Sequence, residues 1–170
     1  MQSRLRNDIR AALQTSPDSM TTTSARVITE TSIPYLDAFI EEVLRVSQPA
    51  PTLSRGAIVD TQILGHRIPM GTEVFLMPNA ASILEPAFEI DESSRTDGCR
   101  ASNNKQRMGV WNADDCGAFK PERWLKVDGE DGTVRFDAKA GPTLAFGLGT
   151  RGCFGKRFAY MQLRVMLVEL

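Results

Sequence analysis

The residues with the clearest chemical potential lie in segment 146–159, FGLGTRGCFGKRFA, where one cysteine stands among glycines and basic residues. A thiol is a strong metal ligand only as the thiolate, which backbone N–H groups and the positive end of a helix stabilise. Cys153 directly precedes a predicted helix, and Arg151 could pair with a carboxylate of a bound ligand. Neighbouring glycines would let the backbone curl around the sulfur and let a flat ligand approach closely. They are Gly147, Gly149, Gly152 and Gly155.

Other interpretations of this segment are open on the residues alone. Cys153 could be a small buried apolar residue beside ordinary turn glycines. A nucleophilic cysteine would need a histidine base, and His66, the one histidine of the chain, is expected in an exposed hairpin turn far away. A phosphate-binding loop would require Gly-Lys followed by Ser or Thr, which this segment lacks.

Composition argues against several function classes. Lys and Arg number 20 against 21 Asp and Glu, for a net charge of -1, so no overall basic field indicates nucleic acid. No apolar run approaches the roughly 18 residues of a membrane helix, and the start MQSRLRNDIRAAL is too charged for a secretory signal. The chain is therefore expected to be soluble and intracellular. Its three cysteines form no CxxC pair, which disfavours a zinc knuckle or a disulfide framework and predicts free thiols at Cys99 and Cys116.

The elements that must position the cysteine segment are mainly helical. At 170 residues the chain has the size of one domain. Apolar residues recurring every four positions predict a short helix that ends near Ser16. The clearest helix opens at Pro34 and is ended by Pro49 and Pro51. A last helix is expected from about Phe154 to the end of the chain.

Between these helices the residue pattern is no longer helical. Residues 55–77 alternate β-branched and polar residues, which predicts a small antiparallel hairpin or sheet. Residues 92–117 are polar and aperiodic and are predicted to form an exposed loop excursion. FKPERWL is expected to be extended, and KVDGEDGTVR is expected to be a charged turn.

Glu42 and Arg45 are three positions apart on the helix predicted after Pro34 and can pair on one face. Taken alone, this spacing is a weak signal, because an exposed ion pair of this kind contributes only about 0.2–0.5 kcal/mol and is common.

The spacing Phe146-x-x-Gly149-x-Arg151-x-Cys153-x-Gly155-x-x-x-Ala159 matches the haem-binding signature of the cytochrome P450 monooxygenases at every fixed position. The chain thus resembles the C-terminal part of that superfamily. Within the superfamily, it resembles the eukaryotic members, which include fungal ones. The resemblance implies Cys153 as the thiolate ligand of haem iron and Arg151 as a propionate partner. It also implies that Phe146 covers the sulfur and that Gly155 borders the haem.

The family also has Glu-x-x-Arg on a helix followed by a Pro-Glu-Arg segment, and the chain supplies Pro121-Glu122-Arg123. The resemblance therefore implies a structural, non-catalytic triad of Glu42, Arg45 and Arg123. Arg55 matches an arginine that reaches a haem propionate, with a surface arginine as the alternative. The implied fold is α+β and mainly helical, and residues 1–170 would form an incomplete P450 domain. Its elements would be the triad helix, a small β-sheet, the meander, the cysteine loop and the helix that follows the loop.

The implied function is that of a haem-thiolate monooxygenase segment. The intact form would use haem b, O2 and electrons from NADPH through a reductase to insert one oxygen atom into a small apolar substrate. Lys156, Arg157 and Arg164 would suit docking of an acidic electron donor. Full-length relatives would sit at the endoplasmic reticulum, through a membrane anchor absent here. A truncated haem-binding remnant, or a haem-thiolate peroxygenase or isomerase, is the alternative, because the distal acid–alcohol helix is missing.

Overall fold

The computed structural model describes residues 1–14, 23–77, 84–86, 88–103, 108–129 and 132–170. The chain divides into two compact units. The first unit comprises Met1–Leu44, Phe119–Ala138 and Phe146–Leu170, and the second comprises Arg45–Ala118 and Lys139–Ala145.

The described residues form helices and short strands in mixed order, as the sequence predicted. The helices are α1 (Gln2–Leu13), α2 (Ala25–Glu30), α3 (Pro34–Ser47), α4 (Asp97–Asn103) and α5 (Lys156–Glu169). The strands are β1 (Leu53–Gly56), β2 (Thr61–Ile63), β3 (His66–Ile68), β4 (Glu73–Leu76), β5 (Leu125–Val127) and β6 (Val134–Phe136). Within the described ranges, none of the helices is both long and apolar enough to span a bilayer.

Helix α3 carries the core of the first unit, and its predicted start at Pro34 is confirmed. Proline suits the first helical position because its fixed φ is helical and its missing N–H would have had no partner there. Leu36, Ile40 and Leu44, spaced by four, are buried along one face. Trp124 is fully buried in the same unit and completes this core.

The sequence pattern missed α2, whose six residues are too few to show a helical period. Long-range contacts hold it instead. The guanidinium of Arg164 donates to the carbonyl oxygens of Ile28, at 3.3 Å, and Thr31, at 2.6 Å, at the C-terminal end of this helix. These carbonyls have no partner within a helix, so the arginine supplies the donors that the helix end lacks.

The predicted small antiparallel sheet is confirmed in the second unit. Strand β1 pairs with β4 with Leu53 opposite Leu76, and β2 pairs with β3 as a hairpin. The hairpin turn contains Leu64 at φ 47° and Gly65 at φ 83°. Two consecutive left-handed residues match the strand twist of a tight hairpin.

One local expectation for the first unit was wrong, because Pro121–Trp124 forms one turn of 3-10 helix rather than an extended segment. The pattern also missed β5 and β6, which pair on either side of the predicted charged turn, with Val127 opposite Val134. The strands contain only three residues each, which is too short for period-two alternation to stand out.

The polar segment 92–117 contains more structure than the predicted loop. A 3-10 turn at Glu92–Ser94 and helix α4 lie within it, and Cys116 is buried. Farther along the segment, the indole N–H of Trp111 donates to the carbonyl oxygen of Pro142 at 3.1 Å. The Trp111 end of the segment is therefore anchored within the second unit.

Candidate functional site

The cysteine loop, residues 146–155, is closed by its own backbone. The N–H of Cys153 donates to the carbonyl oxygen of Phe146 at 2.7 Å. Inside this closure, Gly149–Arg151 forms a 3-10 turn, and the N–H of Gly152 donates to the carbonyl oxygen of Gly149 at 3.0 Å. Helix α5 follows directly, so the cysteine stands between a tight loop and a helix start.

Two glycines make this loop conformation possible. Gly147 has φ 65° and Gly149 has φ 64°, both in the left-handed region. A side chain at either position would strain the backbone, whereas glycine adopts this conformation at no steric cost. The glycine-rich pattern therefore has a local structural reason that does not depend on any ligand.

The thiol of Cys153 is free and exposed. A Cβ added at Gly155 would lie 3.8 Å from the sulfur, so the absence of a side chain there leaves space beside it. Arg151 is exposed in the same loop, and so are the apolar side chains of Leu148 and Phe154. The loop thus presents an accessible soft ligand, a cation and apolar surface together.

A partly buried polar contact between Tyr160 and Glu41 lies next to the cysteine loop. The rings of Phe146 and Tyr160 have centroids 5.3 Å apart and are tilted by 39°. The Tyr160 hydroxyl donates to the carboxylate of Glu41 on α3. The ammonium of Lys156 lies 5.9 Å from the Phe146 ring centroid and 5.6 Å from that of Tyr160, within cation–π range.

Burial raises the pKa values of both polar partners in this contact, Glu41 and Tyr160. It raises the pKa of the Glu41 carboxyl, and the hydrogen bond from Tyr160 and the charge of Lys156 oppose that rise. Burial also raises the pKa of Tyr160, and the hydrogen bond to Glu41 acts in the same direction. Tyr160 therefore remains a neutral hydrogen-bond donor.

Glu41→Gln is expected to reduce the pH dependence of stability. Because burial raises the pKa of Glu41 in the folded chain, the folded state keeps a proton that the unfolded state has released. The stability of the parent chain should therefore fall as pH rises from the ordinary glutamate range through the folded pKa. Tyr160, Lys156 and Asp37 are the other titratable groups that act on this carboxyl.

Urea unfolding at a series of pH values from mildly acidic to neutral measures this effect. In Glu41→Gln the pH-dependent loss of stability should be smaller than in the parent chain. Glu30→Gln, which changes an exposed carboxyl paired with Arg26, should keep the parent profile. Parallel profiles for Glu41→Gln and the parent chain would contradict the assignment.

Glu42 binds three donors from the segment around the 3-10 turn. The side chain is fully buried and accepts hydrogen bonds from Arg123 Nε at 3.1 Å, Lys120 N at 2.7 Å and Trp124 Nε1 at 2.9 Å. A buried carboxylate is stable only when such donors compensate its lost hydration. The structure thus brings together the predicted pair Glu42 and Arg123.

Arg45, the next predicted triad residue, is also buried. Its guanidinium donates to the carbonyl oxygens of Cys116 at 2.7 Å and Ala118 at 3.0 Å. The same group lies 5.6 Å from the ring centroid of Trp111. Arg45 therefore holds the end of the polar segment within the second unit.

The other candidate residues are placed differently. Arg55 lies exposed on β1 in the second unit, where its guanidinium donates to the carbonyl oxygen of Ser54 at 2.7 Å. His66 is exposed at the start of β3, as expected. Arg164 does not belong to a docking surface, because it is buried and paired with Asp37. Lys156 and Arg157 are exposed.

Sequence reasoning missed Glu41 and Tyr160 as supports of the cysteine loop. One signal was present, because Asp37 and Glu41 are acidic residues four apart on helix α3. On α5, Lys156, Tyr160 and Arg164 also recur every four residues. In the structure Tyr160 donates to Glu41, and Arg164 donates to Asp37.

Comparison with known proteins gives a consistent picture. The family model described as "Cytochrome P450" matches residues 1–86 and 110–170. The chain is 41% identical over 181 residues to the cytochrome P450 monooxygenase TRI13 of Fusarium sporotrichioides, covering 100% of this chain and 31% of that protein. It is 40% identical over 156 residues to the Hps1-dma1 cluster cytochrome P450 monooxygenase cyp3.1 of Dothistroma septosporum, covering 86% of this chain and 49% of that protein.

A third relative is the cytochrome P450 monooxygenase GME11363 of Pestalotiopsis microspora. It is 36% identical over 171 residues, covering 100% of this chain and 29% of that protein. The chain therefore spans between 29% and 49% of the length of these relatives. The family match leaves 87–109, which includes α4, outside its two parts.

Proposed function

The chain belongs to the cytochrome P450 family, as the sequence resemblance predicted, and we propose that its cysteine loop binds haem b through the thiolate of Cys153. The whole protein would be a monooxygenase that inserts one oxygen atom from O2 into a small apolar molecule. The observation that carries this proposal is the exposed, free thiol in a glycine-shaped loop directly before α5.

The residues of the cysteine loop fit a haem. Thiolate sulfur is a soft ligand suited to iron, and the Cys153 thiol is accessible. The absence of a Cβ at Gly155 leaves space beside that sulfur. The exposed apolar side chains of Leu148 and Phe154 suit an apolar macrocycle, and the exposed Arg151 suits its propionate groups.

Each residue has a separate task in this proposal. Cys153 supplies the sulfur ligand, and Arg151 binds a propionate through its guanidinium group. That Arg55 reaches a propionate stays a prediction of the family resemblance. Phe146 would cover the sulfur once haem is bound, as the family resemblance implies. When bound, the haem supplies the redox chemistry that activates O2, and a thiolate ligand favours cleavage of the O–O bond.

Glu42, Arg45 and Arg123 are assigned a structural task. The buried Glu42 carboxylate holds both the Arg123 side chain and the backbone of Lys120. Arg45 binds the carbonyl oxygens of Cys116, in the polar segment, and of Ala118, directly after it. Satisfied buried networks of this kind fix one backbone arrangement, which suits a segment that leads toward a ligand-binding loop.

Electrons would come from NADPH through a reductase that docks on the basic start of α5. Lys156 and Arg157 are exposed there and could attract an acidic partner. The reductase, the substrate class and the location at the endoplasmic reticulum remain predictions that follow from the family.

The test is the absorption of the reduced carbon monoxide complex after the chain has been loaded with haem b. The parent chain is expected to show the thiolate-type band, and Cys153→Ala is expected to lose it completely, because the substitution removes the ligand sulfur. Cys99→Ala and Cys116→Ala should retain it. A thiolate-type band that persists in Cys153→Ala, or that is lost in one of the control variants instead, would falsify the assignment.

A further inference from the structure

We propose that Tyr160 is a positioning residue for the iron ligand: its hydrogen bond to Glu41 holds its ring against Phe146, which in turn fixes Cys153. The inference rests on the proposed function only in calling Cys153 an iron ligand. The packing argument itself concerns the first unit alone, to which all four residues belong.

The first step is the anchoring of Tyr160 at both ends. Its hydroxyl donates to a carboxylate on α3, and its ring contacts Phe146 at a centroid distance of 5.3 Å. A tyrosine side chain has only two rotatable bonds before its ring, so fixing the hydroxyl fixes the ring. Tyr160 therefore connects the core helix to the first residue of the cysteine loop.

The second step leads from Phe146 to the ligand residue. The carbonyl oxygen of Phe146 accepts the N–H of Cys153 at 2.7 Å, the bond that closes the loop. A shift of Phe146 therefore moves the acceptor of that bond. The Lys156 ammonium lies near both rings and acts on the Glu41 carboxylate, which favours the same arrangement.

The third step concerns the polar character of the contact between Glu41 and Tyr160, since apolar side chains would be sufficient to pack these positions. Glu41 is only 8% exposed, and burying a carboxyl group costs free energy that an apolar pair would avoid. A hydrogen bond gives direction that apolar contacts lack. The polar partners at this position are therefore suited to orienting the ring of Tyr160.

The decisive variant is Tyr160→Phe, which keeps the ring and removes only the hydroxyl. Its control is Tyr35→Phe, because Tyr35, the other tyrosine, is buried and likewise donates its hydroxyl to a glutamate, Glu122, at 3.1 Å. Glu41→Gln keeps an acceptor oxygen and should behave nearly as the parent chain does.

The first readout is hydrogen exchange of the Cys153 amide in the haem-free chain. In Tyr160→Phe this amide should exchange roughly two- to tenfold faster, the effect expected of one lost hydrogen bond. The amide of Asp137, which donates to the carbonyl oxygen of Trp124 elsewhere in the first unit, should keep its rate. Tyr35→Phe should leave the Cys153 amide unchanged.

The second readout is the reduction potential of the haem-loaded chain, which should shift in Tyr160→Phe and not in Tyr35→Phe. An unchanged Cys153 amide in Tyr160→Phe, or one that accelerates only as much as the Asp137 amide, overturns the inference. An unchanged reduction potential in Tyr160→Phe overturns it as well. If the chain binds no haem, the proposed function fails, while the amide measurement still decides the role of Tyr160.

Discussion

Arg123→Ala should lower the free energy of unfolding by about 3–5 kcal/mol, the cost of removing one member of a buried ion pair. The side chain of Arg123 is 6% exposed, and that of Glu42 is fully buried. Removal of the guanidinium leaves the Glu42 carboxylate with less compensation for its lost hydration. Urea denaturation, followed by tryptophan fluorescence, measures the change.

Arg135→Ala is the matched control for this prediction. Arg135 pairs with Asp128 at 2.7 Å, but its side chain is 68% exposed. Surface pairs of this kind contribute about 0–1 kcal/mol, so the control should remain close to the parent chain. If both variants lose similar amounts of stability, the buried pair of Glu42 and Arg123 contributes no more than an exposed pair does.

Gly109→Ala should lower the free energy of unfolding by about 3 kcal/mol, at the upper end of the cost of overpacking. A Cβ at this position would lie 2.2 Å from the carbonyl oxygen of Ala140, a backbone atom that cannot rotate away. The two segments are hydrogen-bonded to each other there, because the N–H of Gly109 donates to the carbonyl oxygen of Lys139 at 2.7 Å. Relief of the clash would break that bond, and hydrogen exchange of the Gly109 amide would report it.

Gly98→Ala provides a control of opposite sign in the same unit. Gly98 lies in helix α4 and has no atom within 4 Å of an added Cβ. Alanine has the better helix propensity, so this variant should gain about 0.5–1 kcal/mol. If Gly109→Ala also proves neutral or stabilising, the close approach of residues 109 and 140 does not exist in solution.

Much of the cysteine loop and of its helical frame could be predicted, because local spacing determines both. Pro34 and the apolar row behind it are sufficient to specify α3, and the signature around Cys153 lies within 14 consecutive residues. The partnership of Glu42 and Arg123 spans 81 residues, yet each lies in a short motif that could be recognised.

Other features depend on contacts that no local pattern encodes. Tyr160 and Glu41 are 119 residues apart, and neither belongs to the motifs that were recognised. The hairpin of β5 and β6 has strands of only three residues. At its open end, the N–H of Asp137 donates to the carbonyl oxygen of Trp124 at 2.7 Å. Tertiary pairing determines such short elements more than intrinsic propensity does.

The guanidinium of Arg164 also has a consequence for the order in which the chain folds. Helix α2 has six residues, well below the roughly 12–15 at which an isolated helix is even marginally stable. The donor for its terminal Thr31 carbonyl lies 133 residues along the chain, and contacts across such a separation form late. During synthesis, α2 therefore has to wait for α5, so it becomes helical only when that later segment has docked.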